Sequence, residues 1–438
     1  MLLALSGIAF LTAACGSKSH IVSAGAQVDM SNDLGWEAEV TIAADPNRPN
    51  VLLAASNAGD LAGLLVYTSD DGGKTWEYDA PPLPSAKDVC GGGDPAVAIG
   101  AHGEQAVGYI VERPCGEPGT AIAVAHRTSR SGEWRIGKRP VSTPPAGGAD
   151  DKPSLAYGPN GLYASWTRYR PGAIDAVVAR SPNGGLTWRP PEVVGFGGGA
   201  IDTSIGTGRR GGVFSAWGSS VDGDLLASRA EPGTRFSPPR EFAKAPSPPE
   251  GARCAREEGG TSIPAQPVRC VTASPHVAVD RSSGRVYVVY ENGDDDGVQV
   301  VNLAAFTREL KLLDGFPRRV HPGDGKMPSD QFLPAIAVDE SDGTVWLCYY
   351  DTRGDPTRRK TWFTCTASLD GGESFLKPVH AASAPSDETQ RPADVDFGYG
   401  EYAGVAASHG IAHPVWTDSR ELDSLGEEIY TTRLKIEN

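Results

Sequence analysis

Acidic, tyrosyl and arginyl side chains recur in this sequence at the ends of short alternating segments, and their types suit acid–base chemistry or recognition of polar ligands. One set leads into such segments: Asp94, Asp151, Asp202, Asp330 and Glu401, the last followed by Tyr402. A second set follows the next segment along: Glu112, Arg168, Tyr169, Glu291, Asp351, Arg353, Asp418 and Arg420. Carboxylates crowded together raise one another's pKa, so that one can act as acid while another acts as base. Arg168, Arg353 and Arg420 carry the planar forks that clamp a carboxylate at two points. The stretches D-T-R and W-T-D-S-R also admit a local reading, in which each Asp pairs with the Arg of its own loop.

Asn292, Asp294 and Asp296 alternate oxygen-bearing side chains as the opening of a calcium loop does, which makes Ca2+ the one ion considered. Leu303 stands where a bidentate glutamate would complete such a loop, so a solvated acidic turn is the other reading. No residue pattern requires a cofactor. The eight histidines show no paired ligand spacing, and neither a G-x-S-x-G elbow nor a phosphate loop is present. The net charge of -15 and the lack of any Lys/Arg run exclude a nucleic-acid partner, which needs a basic patch.

These residues need a framework, and the composition points to many short strands. Glycine (54) and proline (35) are abundant, while 39% hydrophobic residues still allow a core. A unit repeats along the chain. Its clearest copy runs from Asp94 to Ser142, with PAVAIG, EQAVGYIVE, TAIAVAHRTS and EWRIGKRPVS as four successive strands. Related units begin at Glu39, Lys152, Ile201, Pro275, Pro334 and Tyr402, which makes seven of about 58 residues each. No stretch has a helical period. Radial repetition of four-stranded antiparallel sheets buries such units, so the expected fold is an all-β propeller of seven blades, with six and an irregular cap as the alternative count. The last unit lacks a fourth strand, which the segment from His20 to Asp29 is expected to supply.

In such a blade the start of the first strand and the end of the second lie on one face. Both sets of polar residues should therefore ring one mouth. The turns between third and fourth strands lie on the opposite face, and three of them share a motif. Ser69, Asp71, Gly73, Thr75 and Trp76 form S-x-D-x-G-x-T-W; Ser181, Asn183, Gly185 and Trp188 repeat it; Ser368, Asp370, Gly372 and Phe375 give a third version. A short acceptor side chain holds the turn's backbone donors, glycine supplies positive φ, and the aromatic packs beneath.

On these boxes the sequence resembles the Asp-box (BNR-repeat) propellers, whose best known members are sialidases, over nearly the whole mature chain. The resemblance implies an arginine triad for the substrate carboxylate, a Glu-activated tyrosine nucleophile and an aspartic acid/base. Glu401-Tyr402 with Arg168, Arg353 and Arg420, and Asp94 or Asp151 as the acid, are the nearest counterparts. The aromatic-Arg-Ile-Pro motif that opens active sialidases has no match here.

Residues 1–14 (MLLALSGIAFLTAA) are an apolar run too short to span a bilayer, and read as a secretory signal. Ala13-Ala14 before Cys15 resembles a bacterial lipobox, which implies lipidation of Cys15. The domain plan is thus a lipoprotein signal (1–14), a tether and ring-closing strand (15–29) and one propeller (30–438). The remaining six of seven cysteines fall as neighbours, Cys90 with Cys115, Cys254 with Cys270 and Cys348 with Cys365. Sequential pairing closes short loops and is the expected connectivity. The expected protein is an exported, membrane-tethered monomer that binds a glycan or cell-surface protein at the mouth, with exo-acting glycoside hydrolysis of the sialidase type as the alternative. It would face the periplasm or the exterior.

Overall fold

In the computed structural model, the structure describes residues 20–32, 35–59, 63–116, 119–254, 260–294, 297–321, 327–390, 398–420 and 426–437. Among them the only helical element is a 3-10 turn at Glu250–Ala252, and all else that is regular is strand. The chain is an all-β propeller of antiparallel four-stranded sheets. Residues 35–79, 90–136, 149–195, 200–244, 276–319 and 331–380 each build one, and residues 404–437 build a C-terminal sheet.

Within the third sheet Ala149–Gly158, Gly161–Arg170, Ala173–Ser181 and Glu192–Gly195 pair in sequence order, as a meander of short hairpins requires. The second strands are rich in large apolar side chains because both their faces are covered by neighbouring sheets. Trp166, Trp217, Trp346 and Trp416 are all at most 2% exposed. The first strands lie inside: Gly35–Ala44 contacts Cys90–Ile99, and each first strand contacts the next as far as Gly404–Ser408, which lies against Gly35–Ala44. Small residues suit them to this crowded position, as with Gly404, where an added Cβ would meet Ile42 at 3.2 Å and Val415 at 2.8 Å.

The C-terminal sheet draws on both ends of the chain. Ile21–Ala24 pairs antiparallel with Leu434–Glu437, and Val28–Asp29 with Gly426–Thr431.

Three disulfides join Cys90 to Cys115, Cys254 to Cys270 and Cys348 to Cys365, the sequential connectivity expected. They indicate an oxidising compartment, extracellular or periplasmic. Among the described residues no helix is long and apolar enough to cross a membrane. Cys15 and the signal segment lie outside the described residues.

One element departs from the repeat. Between the fourth and fifth sheets a two-stranded hairpin, Thr261–Ile263 with Gln266–Val271, is stapled by Cys254–Cys270. Its Ile263, Ala265 and Val271 bury among Phe332 of the sixth sheet and Tyr399 and Ala403, which lead into the C-terminal sheet. Gln266 fixes it there, donating to the Gly400 carbonyl (2.9 Å) and accepting from the Tyr399 amide (3.3 Å).

Candidate functional site: an ionised mouth built on strand bulges

Five first strands carry the same irregularity near their start. Register slips by one residue between Ala38 and Thr41, Gly93 and Ala96, Asp151 and Ser154, Ile201 and Ser204, and Phe332 and Ala335. The extra residue has positive φ in each: Glu39 (58°), Asp94 (48°), Lys152 (48°), Asp202 (55°) and Leu333 (47°). That conformation is the habit of glycine, and each non-glycine residue held in it costs about 1–3 kcal/mol. A bulge re-aims a side chain. Here it turns four ionisable groups into the mouth.

They meet there with Glu401 and with Arg269 of the stapled hairpin. Arg269 reaches Glu401 (2.7 Å) and Glu39 (3.3 Å), while the Lys152 ammonium contacts Asp202 (2.7 Å) and Glu401. Asp202 also accepts from Ser274 (2.6 Å) and Thr272 (3.2 Å). Asn57 bridges the first two bulges, donating to Glu39 (2.8 Å) and accepting from the Asp94 amide (2.7 Å). Beneath them an axial cavity of about 210 Å³ runs between the first strands, with Lys152, Asp202, Glu401 and Tyr402 at its upper wall.

Two electrostatic regimes result. Burial opposes the charge of Glu401, yet Lys152 and Arg269 outweigh it and hold its carboxyl below the ordinary value. Burial likewise opposes the charge of Asp202, and Lys152 reverses the effect. On the other side of the mouth, burial and the charge of Glu401 push Glu39 up to about 7. Burial and Glu39 push Asp94 to about 7, and burial and Asp94 raise Asp151 well above the carboxylate range. The mouth thus sets carboxyls of raised pKa beside carboxyls of lowered pKa.

Of the residues expected at the mouth, the structure brings Asp94, Asp151, Asp202, Glu401 and Tyr402 together. The Tyr402 hydroxyl donates to the Pro95 carbonyl (3.3 Å), and burial with the charges of Glu39 and Asp94 raises its pKa, which disfavours the phenolate.

The arginine clamp is not formed. Arg168 closes on Asp150 through two bonds of 2.6 and 2.8 Å, Arg353 on Asp351 at 2.7 Å, and Arg420 on Asp418, where its Nε bond is 2.9 Å. None of the three lines the axial cavity. Arg353 and Arg420 thus pair with the aspartate of their own loop, and Arg168 with one on the neighbouring strand. Glu291 is fully buried and accepts from the Leu333 amide (3.3 Å), and burial pushes its carboxyl well above the ordinary range. Asp330 receives Arg358 at 2.8 Å.

At the acidic turn the Asn292 side-chain oxygen accepts from the Asn302 side-chain amide (2.6 Å), and Oδ1 of Asp294 accepts from the Val298 amide (3.0 Å). Asp296 lies outside the described residues.

Glu39, Asn57, Lys152 and Arg269 are the functional residues that sequence reasoning missed. Lys152 neighbours the expected Asp151, and Glu39 opens the first repeat, so both had a positional signal. Arg269 had only its place beside Cys270.

No family model matches this chain, and no curated protein matches it. Its fold is similar to that of a protein of unknown function from Dyadobacter fermentans DSM 18053, at 13% identity over 95% of this chain and 99% of that one, with a TM-score of 0.51. It is also similar to an ulvan lyase of polysaccharide lyase family PL25, at 13% identity over 93% and 95% of the two chains and a TM-score of 0.51. At such identities the likeness concerns the fold alone.

Proposed function

We propose that this protein is an exported, seven-bladed propeller, held at a bacterial membrane through Cys15, whose mouth binds a glycan. The single observation that carries the binding role is the convergence of Glu39, Asp94, Lys152 and Asp202 on strained bulges. Repeated strain and charge burial at one place is what a preorganised polar site looks like, and a fold optimised for stability alone would avoid it. A glycan suits the mixture of protonated carboxyls, carboxylates and cations, which offers donors and acceptors side by side. The cyclic contacts of the first strands, and the pairing of residues 21–29 with the C-terminal sheet, support seven blades closed by both chain ends.

A second reading, glycoside hydrolysis, is favoured by the carboxyls Glu39 and Asp94, bridged by Asn57, whose pKa near 7 suits a general acid. Both are tested on one sample. The folded, disulfide-intact protein is screened on a glycan array and against a panel of fluorogenic sialosides and other glycosides, with and without calcium. Wild type is compared with Asp94→Asn, Glu401→Gln and Tyr402→Phe. Array binding weakened by Asp94→Asn and Glu401→Gln without turnover supports the binding role. Turnover lost in those variants makes the protein a hydrolase, and neither binding nor turnover removes the glycan assignment.

A further inference from the structure

The face opposite the mouth, where first strands turn into second strands, holds a groove of about 1050 Å³. Five arginines line it, Arg127, Arg135, Arg180, Arg209 and Arg281, against two glutamates, Glu104 and Glu340. The acids do little to neutralise them. Glu340 pairs with Arg281 at 3.3 Å, and Glu104 caps the His102 amide (2.9 Å). Arg127 is held by the Gln105 amide oxygen (2.7 Å) and Arg180 by the Asn160 carbonyl (2.9 Å), neither of which carries charge. Arg135 and Arg209 are exposed, with no carboxylate at ion-pair distance among the described residues. On a chain of net charge -15 this is a local reversal of sign.

A further observation bears on the size of the ligand. A second cavity of about 420 Å³ adjoins the groove, shares Arg209 and Arg281 with it and adds the exposed Arg210; its wall also carries Glu231 and Arg308, the latter paired with Glu309 at 2.6 Å. The positive strip therefore runs on beyond one cavity, further than a single small anion needs.

We infer that this face is a second binding site, for a polyanionic saccharide bearing carboxylate or sulfate groups. The exposed guanidiniums would hold the anionic groups. The inference is independent of what the mouth binds. The oxidising compartment implied by the disulfides favours a saccharide over a nucleic acid as the polymer.

The test uses the whole protein and four probes: dextran sulfate, polygalacturonate, uncharged dextran and a single-stranded oligodeoxynucleotide, titrated at low and at high salt. The expected result is binding of one or both anionic polysaccharides, weakened by salt, with no binding of uncharged dextran. Arg135→Ser/Arg209→Ser should weaken it at least tenfold, and Arg209→Ser/Arg210→Ser should weaken it too, with unchanged Tm because these side chains support nothing in the fold. Preference for sulfate or carboxylate identifies the anionic group. Equal binding by the first double variant, equal binding of uncharged dextran, tighter binding of the oligonucleotide, or no binding at all would overturn the inference.

Discussion

Arg269 and Glu401 form an ion pair of 2.7 Å that joins the disulfide-stapled hairpin to the segment leading into the C-terminal sheet. Because the same guanidinium also contacts Glu39, one side chain favours the charged form of two acids and ties the hairpin to them.

Arg269→Ala leaves two buried carboxyls without their shared cation. Removing one partner of a buried pair is more damaging than never having had the pair, so stability should fall by about 3 kcal/mol. Urea unfolding measures this, and a loss below about 1 kcal/mol would show that Lys152 alone suffices. Arg269→Lys should recover only part, because an ammonium lacks the fork that spans both acids.

The mouth also predicts a pH dependence. Glu39 and Asp94 titrate near 7 when folded, above the 4.5 and 3.8 of the free side chains. Between about pH 4 and 7 the folded state therefore binds more protons than the unfolded chain, and their stabilising contribution is lost as pH rises through 7. Glu401 and Asp202, held low, act in the opposite sense: their contribution is present above their unfolded values and is lost as pH falls below them. Urea midpoints across pH 3–8 should fall between pH 4 and 7 in wild type, and this slope should flatten in Glu39→Gln/Asp94→Asn. An unchanged slope in that variant would place the titration elsewhere.

At the first Asp box, one oxygen of Asp71 accepts from the amides of Lys74 (2.9 Å) and Thr75 (3.0 Å), and the other from the Thr75 hydroxyl (2.8 Å). Asp71→Ala should cost about 1–2 kcal/mol, as loss of a side-chain cap does, and leave mouth binding unaltered. Asp71→Asn should cost less, since Asn183 holds the Thr187 amide in the second box at 2.9 Å. Thermal unfolding ranks the variants, and equal losses would remove this distinction between them.

Replacing Cys254 and Cys270 together by serine frees a loop closed at a separation of 16 residues. About 3 kcal/mol of stability should go with it on chain-entropy grounds. The loss should concentrate in the hairpin, so hydrogen exchange of residues 261–271 should rise far more than that of the second strands. Uniform acceleration would mean that the bridge stabilises the whole propeller instead.

What the sequence revealed follows from what repeats. The alternation of residues 152–188 and the three Asp boxes are local patterns recurring at fixed places in a unit, and they appear as hairpins and tight turns. Neighbouring cysteines needed only proximity in the chain. The D-T-R and W-T-D-S-R loops turned out as their local reading has them, each Asp holding its own Arg, because a side chain finds its nearest counter-ion before a distant ligand. What stayed hidden is non-local. Arg269 belongs to an insertion with no counterpart in the other repeats, and only the docking of that insertion on another part of the molecule brings it to Glu401. The bulges hid the identity of the inward residue, since one inserted position decides whether Asp151 or its neighbour Lys152 takes the strained conformation. The basic groove was invisible for the same reason: its arginines come one at a time from separate strands and turns, so no run in the sequence announces them.

The pairing of Ile21–Ala24 with Leu434–Glu437 makes the first described strand the partner of the last. A chain that emerges from its amino end must therefore keep Val22, 8% exposed once paired, waiting until residues 434–437 arrive. Contacts of such sequence separation form late and slowly, and the unpaired edge is a template for another chain in the meantime. The step at which this protein is most exposed to misassembly is thus the emergence of residues 434–437, when the open sheet must find its own first strand before it finds that of a neighbour.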